Sequence, residues 1–336
     1  MKNISRRGLL AGASALPLVA INATGARAAS FHYKFATNLP PEHPLNTSNA
    51  AAIARIKAAT DGALDIMLYP NSQLGTDPAM LNQVRSGAIQ FFTLSPLILS
   101  TLVPTAAING VGFAFANEAQ AFKAMDGKLG ALVRGEIEKA GLFAFDKIYD
   151  NGFRQITTST HPIKTPDDLH NLRIRVPPAA LWTSMFTDFG SAPTTVSFNE
   201  VYTGLQTHLV DAQENPLAII STAKLYEVQK YCSMTNHMWD GFWLLANPAA
   251  FNALPADIQT IAKREFARAA LEQRVAVAKL TSGLETSLKG NGLIFNNTTP
   301  AAFRAKLASS GFYTTWKAKF GDAAWSTLEG YTGTLA

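Results

Sequence analysis

The sequence predicts an α/β protein with two lobes, and three observations support this prediction. Before residue 100, segments with strand-like alternation follow segments with helical spacing, which is typical of a mostly parallel sheet covered by helices. The same order of strands and helices starts again near residue 141. The chain has 336 residues, which is enough for two domains.

In the first part of the chain, three strands are predicted to alternate with two helices. The strand-like segments are FHYKFATN from residue 31, ALDIMLYP (63–70) and AIQFFTLS (88–95), and residues 46–60 have helical spacing. The second helix is predicted from its ends. Asp77 can cap it, Pro78 suits its first turn and Gly87 suits its end.

In the second part, strands are predicted at 141–150, 153–158 and 172–176, the last of them stopped by Pro177. A helix then ends at Gly190, and Ser197 with Glu200 has the spacing of a capping box. From 255 to 290 the only strong helix breaker is Gly283, so a helix of roughly 50 Å is predicted. A helix of that length would span both lobes.

The first 28 residues are predicted to be an export signal. Lys2, Arg6 and Arg7 precede an apolar stretch (9–23), and residues 26–28 form a small-x-small cleavage signature. The arginine pair followed by two leucines resembles a twin-arginine signal, and a general secretory signal with a chance pair is the alternative. The stretch is too short and too rich in glycine and alanine for a membrane anchor. The expected location is therefore the periplasm.

Composition and charge restrict the classes of partner. Hydrophobic residues make up 47% and charged residues 16% of the chain, as in folded domains. The net charge is +5, and the export signal contains four basic and no acidic residues, so the remaining chain has a net charge of +1. Without a basic stripe, nucleic acid is not expected as a partner. The single cysteine, Cys232, cannot form an intramolecular disulfide and is expected to be buried.

Two arginines alternate with apolar residues in the strand LRIRV. Arg173 and Arg175 therefore share one face. Clefts between lobes are common ligand sites, and arginine binds a planar carboxylate with two parallel hydrogen bonds. Ligands lie beyond the carboxyl ends of strands in open α/β sheets, which favours Arg175. The alternative is that both are surface residues, one of them paired with Asp167 or Asp168.

Several motifs, in order, resemble the solute-binding proteins of tripartite ATP-independent periplasmic (TRAP) transporters. YPNSQLGTDPAMLNQVRSG and LYEVQKYCSMTNH match that family, and so do four further segments: Arg175-Val176-Pro177, Gly190 to Pro193, Phe198 to Gln206, and Val210 to Pro216. The resemblance covers essentially the whole chain after the export signal. It implies a two-lobed, type II-like periplasmic-binding-protein fold with a long helix across both lobes. We expect lobe I to comprise 31–152 and 241–280, and lobe II to comprise 153–240 and 281–336.

The resemblance also implies a ligand site. Its expected members are the carboxylate clamp Arg175, then Arg154, Asn215, Phe198, Asn38, Ser95 and Trp239. Alternatives stay open at three positions. Asn215 could be a turn residue, Phe198 could be core, and Trp239 could pad the hinge.

Two departures from the family pattern are conservative, Gly204 for alanine and Ala212 for glycine. Ser95 replaces a glutamate of some sugar-acid binders, which argues against a sialic-acid-type ligand.

The predicted function is a monomeric periplasmic receptor that delivers a small organic acid to a membrane permease. A monocarboxylate is favoured, such as a hydroxy, keto or aromatic acid, and a short dicarboxylate is the alternative. A sensory receptor that presents its ligand to a membrane kinase is the rival function. No catalytic residues, metal or cofactor are predicted. Cys232 has no partner base, and His161, His208 and His237 lack metal-ligand spacing.

Overall fold

The computed structural model describes residues 31–335, which form two mixed β-sheets with helices around them. The strands are β1 (Phe31–Ala36), β2 (Leu64–Tyr69), β3 (Phe91–Leu94), β4 (Phe143–Ala144), β5 (Tyr149–Phe153), β6 (Gln155–Thr158), β7 (Arg173–Val176), β8 (Ala192–Thr195), β9 (Ala212–Asn215), β10 (Tyr231–Met234), β11 (Trp239–Ala246) and β12 (Ile294–Asn297).

The helices differ widely in length. They are α1 (Pro44–Ala59), α2 (Asp77–Ser86), α3 (Pro96–Leu99), α4 (Glu118–Met125), α5 (Lys128–Lys139), α6 (Ala180–Asp188), α7 (Val201–Gln206), α8 (Leu217–Thr222), α9 (Pro248–Asn252), α10 (Ala256–Gly290), α11 (Pro300–Ser309), α12 (Phe312–Phe320) and α13 (Asp322–Thr332). Short 3-10 helices lie at Pro104–Gly110, Pro166–Leu169, Phe198–Glu200 and Leu225–Glu227.

The first sheet has the strand order β2-β1-β3-β11-β4, and β5 also pairs with β11. β1 runs parallel to β2 and β3, whereas β11 is antiparallel to β3, β4 and β5. The strands predicted in the first hundred residues are thus confirmed as neighbours in one sheet. β11 is buried along its whole length, which agrees with its mostly apolar sequence.

The second sheet has the order β12-β10-β6-β9-β7-β8. β7 is parallel to β8 and β9, while β6 is antiparallel to β9 and β10. The carboxyl ends of β7 and β9 therefore lie at the same edge of this sheet, next to the first lobe. The two-lobed α/β prediction is confirmed.

The chain passes between the lobes from β5 to β6 and again from β10 to β11, and α10 makes the third connection. α10 has 35 residues, so it is about 52 Å long. It packs against α1 and β5 of the first lobe and against α8 and β12 of the second. The prediction of a long helix across both lobes is confirmed, and Gly283 does not interrupt it.

The C-terminal helices divide between the lobes. α11 and α12 pack against α6 of the second lobe, whereas α13 packs against α4 and α5 of the first. The expected boundaries place all of 281–336 in the second lobe. Trp325 and Leu328 of α13 are buried in a core cluster that contains residues of both lobes, so the expected boundary in this region stays a prediction.

Helix ends follow the predicted glycines more closely than the predicted caps. Gly87 and Gly190 have positive φ angles of 83° and 90°, the left-handed geometry that favours glycine. Asp77 is the first helical residue rather than the cap, and Ser197 makes no capping hydrogen bond through its side chain.

Cys232 is buried, as predicted, and burial raises the pKa of its thiol. None of the described helices is long and apolar enough to cross a membrane.

Candidate functional site

A small cavity lies where the two lobes meet. The first lobe contributes residues that follow β1 and β3 together with side chains of β5 and β11. The second lobe contributes the carboxyl ends of β7 and β9. The lining residues are Asn38, Leu39, Ser95, Ile98, Asn151, Arg154, Arg175, Pro177, Trp182, Phe198, Asn215, Ile219, Asp240 and Phe242. Its volume is about 20 Å³, which is room for about one water molecule. Six of the seven predicted site residues line it.

Arg175 presents a buried positive charge to this cavity. It lies on β7 next to the carboxyl end and is 1% exposed. Its Nε atom donates a hydrogen bond of 2.8 Å to the carbonyl oxygen of Val196. Among the described residues, no carboxylate oxygen lies within 4.0 Å of its guanidinium nitrogens. Burial, together with the neighbouring charge of Arg154, lowers the pKa of Arg175 to about 10.

Arg173, two residues earlier on the same strand, has a different environment. It is exposed, and its Nε and Nη2 atoms donate to the two carboxylate oxygens of Asp211 at 2.8 and 2.9 Å. The surface alternative is therefore correct for Arg173, although the partner is Asp211 rather than Asp167 or Asp168. It does not hold for Arg175, because the carboxyl end of β7 is covered by the other lobe.

Arg154 is also buried, but its hydrogen-bond donors are occupied. It donates to Glu214 Oε2 (2.5 Å), Glu214 Oε1 (2.8 Å) and Asp240 Oδ2 (3.2 Å). Further bonds reach the carbonyl oxygen of Glu214 (2.7 Å) and Asn215 Oδ1 (2.9 Å). The guanidinium carbon lies 4.7 Å from the ring centroid of Trp182. Arg154 is therefore neutralised by protein carboxylates.

Glu214 is a member of the site that the sequence analysis did not identify. It is completely buried, and its Oε2 atom also contacts His237 Nε2 at 3.1 Å. Burial alone would raise the pKa of this carboxyl, but Arg154 and His237 outweigh burial and lower it. The pKa of His237 is lowered, mainly by burial, so this imidazole acts as a neutral hydrogen-bonding residue.

Asp240 connects Arg154 to the first lobe. Its carboxylate accepts hydrogen bonds from Ser95 Oγ (2.9 Å), Asn151 Nδ2 (2.9 Å) and the backbone nitrogen of Gly241 (2.9 Å). Burial raises the pKa of Asp240 despite these donors and Arg154. Asp240 therefore pairs with an arginine in this structure.

Asn38 lines the first-lobe side of the cavity. Its Nδ2 atom donates to Asp77 Oδ2 at 3.0 Å, which fixes the amide orientation because a carboxylate only accepts hydrogen bonds. Its Oδ1 atom has no partner among the described residues. Burial raises the pKa of Asp77 to about 6.

Two more buried atoms of the lining have no partner in the described part of the chain. They are Asn151 Oδ1 and Trp182 Nε1. An acceptor and a donor without partners cost free energy when buried, so such atoms indicate binding capacity. Neither residue was among the predicted site residues.

The remaining predicted residues differ in placement. Asn215 is buried and donates to Gln213 Oε1 at 2.5 Å, so it belongs to the same network as Arg154. Phe198 is partly buried and lines the cavity. Trp239 is not brought to the cavity. Its ring packs edge-on against Phe115 and Phe122 in the core.

Among residues 31–335, no group of three or more metal-ligating side chains is close enough to hold a metal ion. At the cavity, Arg154 instead forms a network with the carboxylates of Glu214 and Asp240, and Arg175 lies beside this network without a carboxylate partner among the described residues. This arrangement can bind an anion at Arg175 and hydrogen-bond hydroxyl groups nearby.

Solved structures share this fold. The sugar-acid-binding protein DctPAm of Advenella mimigardefordensis, in complex with galactonate, matches with a TM-score of 0.87 and 27% identity, over 92% of this chain and 100% of that one. A TRAP periplasmic solute-binding protein of Sulfurospirillum deleyianum, with bound succinate, matches with a TM-score of 0.85 and 23% identity, over 90% of this chain and 99% of that one.

Curated proteins are similar in sequence. The 2,3-diketo-L-gulonate-binding periplasmic protein YiaO of Escherichia coli is 34% identical over 238 residues, 71% of this chain and 72% of that protein. The C4-dicarboxylate-binding periplasmic protein DctP of Rhodobacter capsulatus is 31% identical over 254 residues, 75% of each. The sequence model described as bacterial extracellular solute-binding protein, family 7, matches residues 35–310. The chain therefore belongs to this family of solute-binding proteins.

Proposed function

We propose that this protein is the periplasmic receptor of a TRAP transporter and that it binds a small organic acid through Arg175. The observation that carries this proposal is the buried guanidinium of Arg175. It lines the cavity between the lobes and makes one hydrogen bond, through Nε, to a described residue. A carboxylate bound to the terminal nitrogens would compensate a charge that burial penalises.

The charges around the cavity favour a ligand with a single carboxylate. Arg154 is paired with Glu214 and Asp240, so Arg175 is the cation without a protein counter-ion among the described residues of the lining. A second ligand carboxylate would have to displace Glu214 from Arg154 or lie close to buried acids. We therefore favour a monocarboxylate and keep a short dicarboxylate as the alternative.

The unpartnered polar atoms favour a ligand with hydroxyl or keto groups. Asn38 Oδ1 and Asn151 Oδ1 can accept hydrogen bonds from hydroxyl groups, and Trp182 Nε1 can donate one to an oxygen. The bound galactonate in the structural relative and the name of the Escherichia coli relative agree with a hydroxylated or keto acid. An aromatic acid would leave these atoms unsatisfied.

Binding would require the lobes to move. A cavity of about 20 Å³ is far smaller than an organic acid, so the residues that line it must separate before a ligand enters. The two strand connections and α10 are where this rotation would occur. The closed form would then deliver the ligand to a separate membrane permease.

We also propose the finer points of location and state. Residues 1–28, which lie outside the described part of the chain, would direct export to the periplasm, with a twin-arginine signal favoured. The receptor would act as a monomer without catalysis, metal or cofactor. None of the relatives reported above is a sensory receptor, so the kinase-linked alternative has no observation in its favour.

The test is isothermal titration calorimetry on the wild type and two arginine variants. A thermal-shift screen of mono- and dicarboxylic acids first identifies the ligand, since a ligand raises the melting temperature by mass action. We expect Arg175→Ala to weaken binding of that acid by at least about 30-fold, because removing one member of a buried pair costs about 2–5 kcal/mol.

The matched control is Arg173→Ala on the same strand. Because Arg173 is exposed and paired with Asp211, its loss should change the affinity by less than about threefold. Near wild-type affinity in Arg175→Ala, or equal losses in both variants, would refute the clamp.

A further inference from the structure

A second cavity lies on the other side of the hinge ribbon formed by β5 and β11. It has a volume of about 390 Å³, within the range of small-molecule sites. We call it the rear cavity, and its lining residues are Glu118, Phe122, Asp150, Asn151, Gly152, Phe153, Gln155, Pro216, Leu217, Met234, Asn236, Arg274, Val277, Ala278, Thr281 and Ser282.

β5 contributes to both cavities, and Asn151 lines each of them. Adjacent residues of a strand point to opposite faces. Asn151 donates to Asp240 on the side of the carboxylate site, whereas Asp150 does not line that site and lines the rear cavity. The rear cavity therefore has its own polar group.

Asp150 is held firmly in this position. It is 3% exposed, and its backbone exchanges hydrogen bonds with the side chain of Gln273 at 2.8 and 2.7 Å. Its Oδ1 atom accepts from Trp239 Nε1 at 3.0 Å. Its Oδ2 atom accepts no hydrogen bond from any residue in the described range. One buried carboxylate oxygen is thus available to a ligand.

The charge balance of the rear cavity is negative. Arg274 is its only described cation, and it is bound to Asp126 at 2.8 and 2.9 Å and to the carbonyl oxygen of Ile148. Asp150 and Glu118 have no such partner among the described residues. Burial foremost, and then the charge of Glu118, raise the pKa of Asp150 to about 7. A bound cation would relieve this repulsion.

The rest of the lining is mostly apolar. Phe153 supplies an aromatic ring, and Leu217 and Val277 supply aliphatic surface, whereas the guanidinium group of Arg274 already lies 4.2 Å from the ring centroid of Phe122. An ammonium group near a carboxylate and an aromatic ring gains both ionic and cation–π attraction, while an apolar substituent gains from burial. An inorganic cation would leave the apolar lining unused.

We propose that the rear cavity is a binding site for a small organic ammonium ion with an apolar substituent, in which the carboxylate of Asp150 receives the ammonium group. The two cavities share Asn151, but Asp150 does not line the carboxylate site, and the ammonium site does not depend on the identity of the transported acid.

The test is calorimetry with benzylammonium chloride and with benzyl alcohol as the uncharged probe of similar shape, at pH 8, where Asp150 is ionised. We expect benzylammonium to bind at least about tenfold more tightly than benzyl alcohol, since hydrogen bonds to charged groups are the stronger ones. Asp150→Asn, which keeps an oxygen for Trp239, should weaken benzylammonium about tenfold.

Two further variants keep the result interpretable. Ala278→Phe, at an exposed position of α10, should block the cavity without touching Asp150. Arg175→Ala should leave benzylammonium binding unchanged. The proposal is overturned if benzylammonium does not bind, if both probes bind equally, if Asp150→Asn and Ala278→Phe bind like the wild type, or if binding depends on Arg175.

Discussion

Replacing Glu214 with glutamine should strongly destabilise the protein, because this carboxylate neutralises buried Arg154. The substitution preserves shape and leaves an oxygen to accept a hydrogen bond, but it removes one negative charge. Arg154 would then be balanced by Asp240 alone, which lies at 3.2 Å and shares its charge with Ser95 and Asn151. Breaking a fully buried ion pair on one side costs about 3–5 kcal/mol.

The measurement is the free energy of unfolding from urea titrations followed by fluorescence and circular dichroism. Coincident transitions from both signals would justify a two-state analysis. The control is Asp211→Asn, which removes the partner of exposed Arg173 and should cost about 1 kcal/mol or less. If Glu214→Gln costs no more than Asp211→Asn, the buried pair does not stabilise this fold and the reasoning fails.

Two further predictions concern a titrating carboxyl and two glycines. Because burial raises the pKa of Asp77 to about 6, the folded state retains a proton that the unfolded state loses near pH 4. The free energy of unfolding of the wild type should therefore fall by about 2 kcal/mol relative to Asp77→Asn as the pH rises from about 4 to about 6. If the urea midpoints of the two proteins stay parallel across this window, the pKa of Asp77 is not raised. At Gly241 a Cβ would lie 2.8 Å from the carbonyl oxygen of Tyr149, so Gly241→Ala should destabilise by about 1–3 kcal/mol. At Gly283 a Cβ meets no described atom within 4 Å, so Gly283→Ala in α10 should stabilise by about 1 kcal/mol. If Gly241→Ala and Gly283→Ala move the unfolding midpoint in the same direction, the predicted contrast between a crowded Gly241 and an open Gly283 is wrong.

The fold could be predicted because its main signals are local. Alternation identified the strand at 31–36, and the lack of helix breakers identified α10. The position of α13 could not be predicted, since its apolar face suits either lobe and only the route of the chain through α11 and α12 brings it to α4 and α5. The capping box predicted at Ser197 and Glu200 is not formed, because a 3-10 turn precedes the α-helix there.

For the site, the sequence indicated the two arginines but not that Arg154 is paired with carboxylates while Arg175, among the described residues, is not. Arg154 and Arg175 look equivalent as isolated residues, and their difference depends on Glu214, which reaches Arg154 from another strand. Glu214 lies directly before Asn215 in the Glu-Asn-Pro motif, so that motif was the signal that could have identified it. Trp182 lacked any such signal, since an aromatic residue in a helix is usually core.

The different environments of the two guanidinium groups suggest how binding and closure are coupled. Arg154 lies at a strand connection and is tied to Glu214 in one lobe and Asp240 in the other, so its charge is compensated within the protein. The charges of Glu214 and, to a smaller extent, Asp77 act on Arg175, but neither carboxylate forms an ion pair with it, and the raised pKa of Asp77 weakens its part of the compensation. Closing the lobes therefore removes from water a charge that lacks a protein counter-ion. An anion on Arg175 would offset that cost in the closed form more than in an open one, and a ligand can shift a conformational equilibrium only through such a difference in affinity. We infer that the same guanidinium group sets both the affinity for the acid and the free energy of closure.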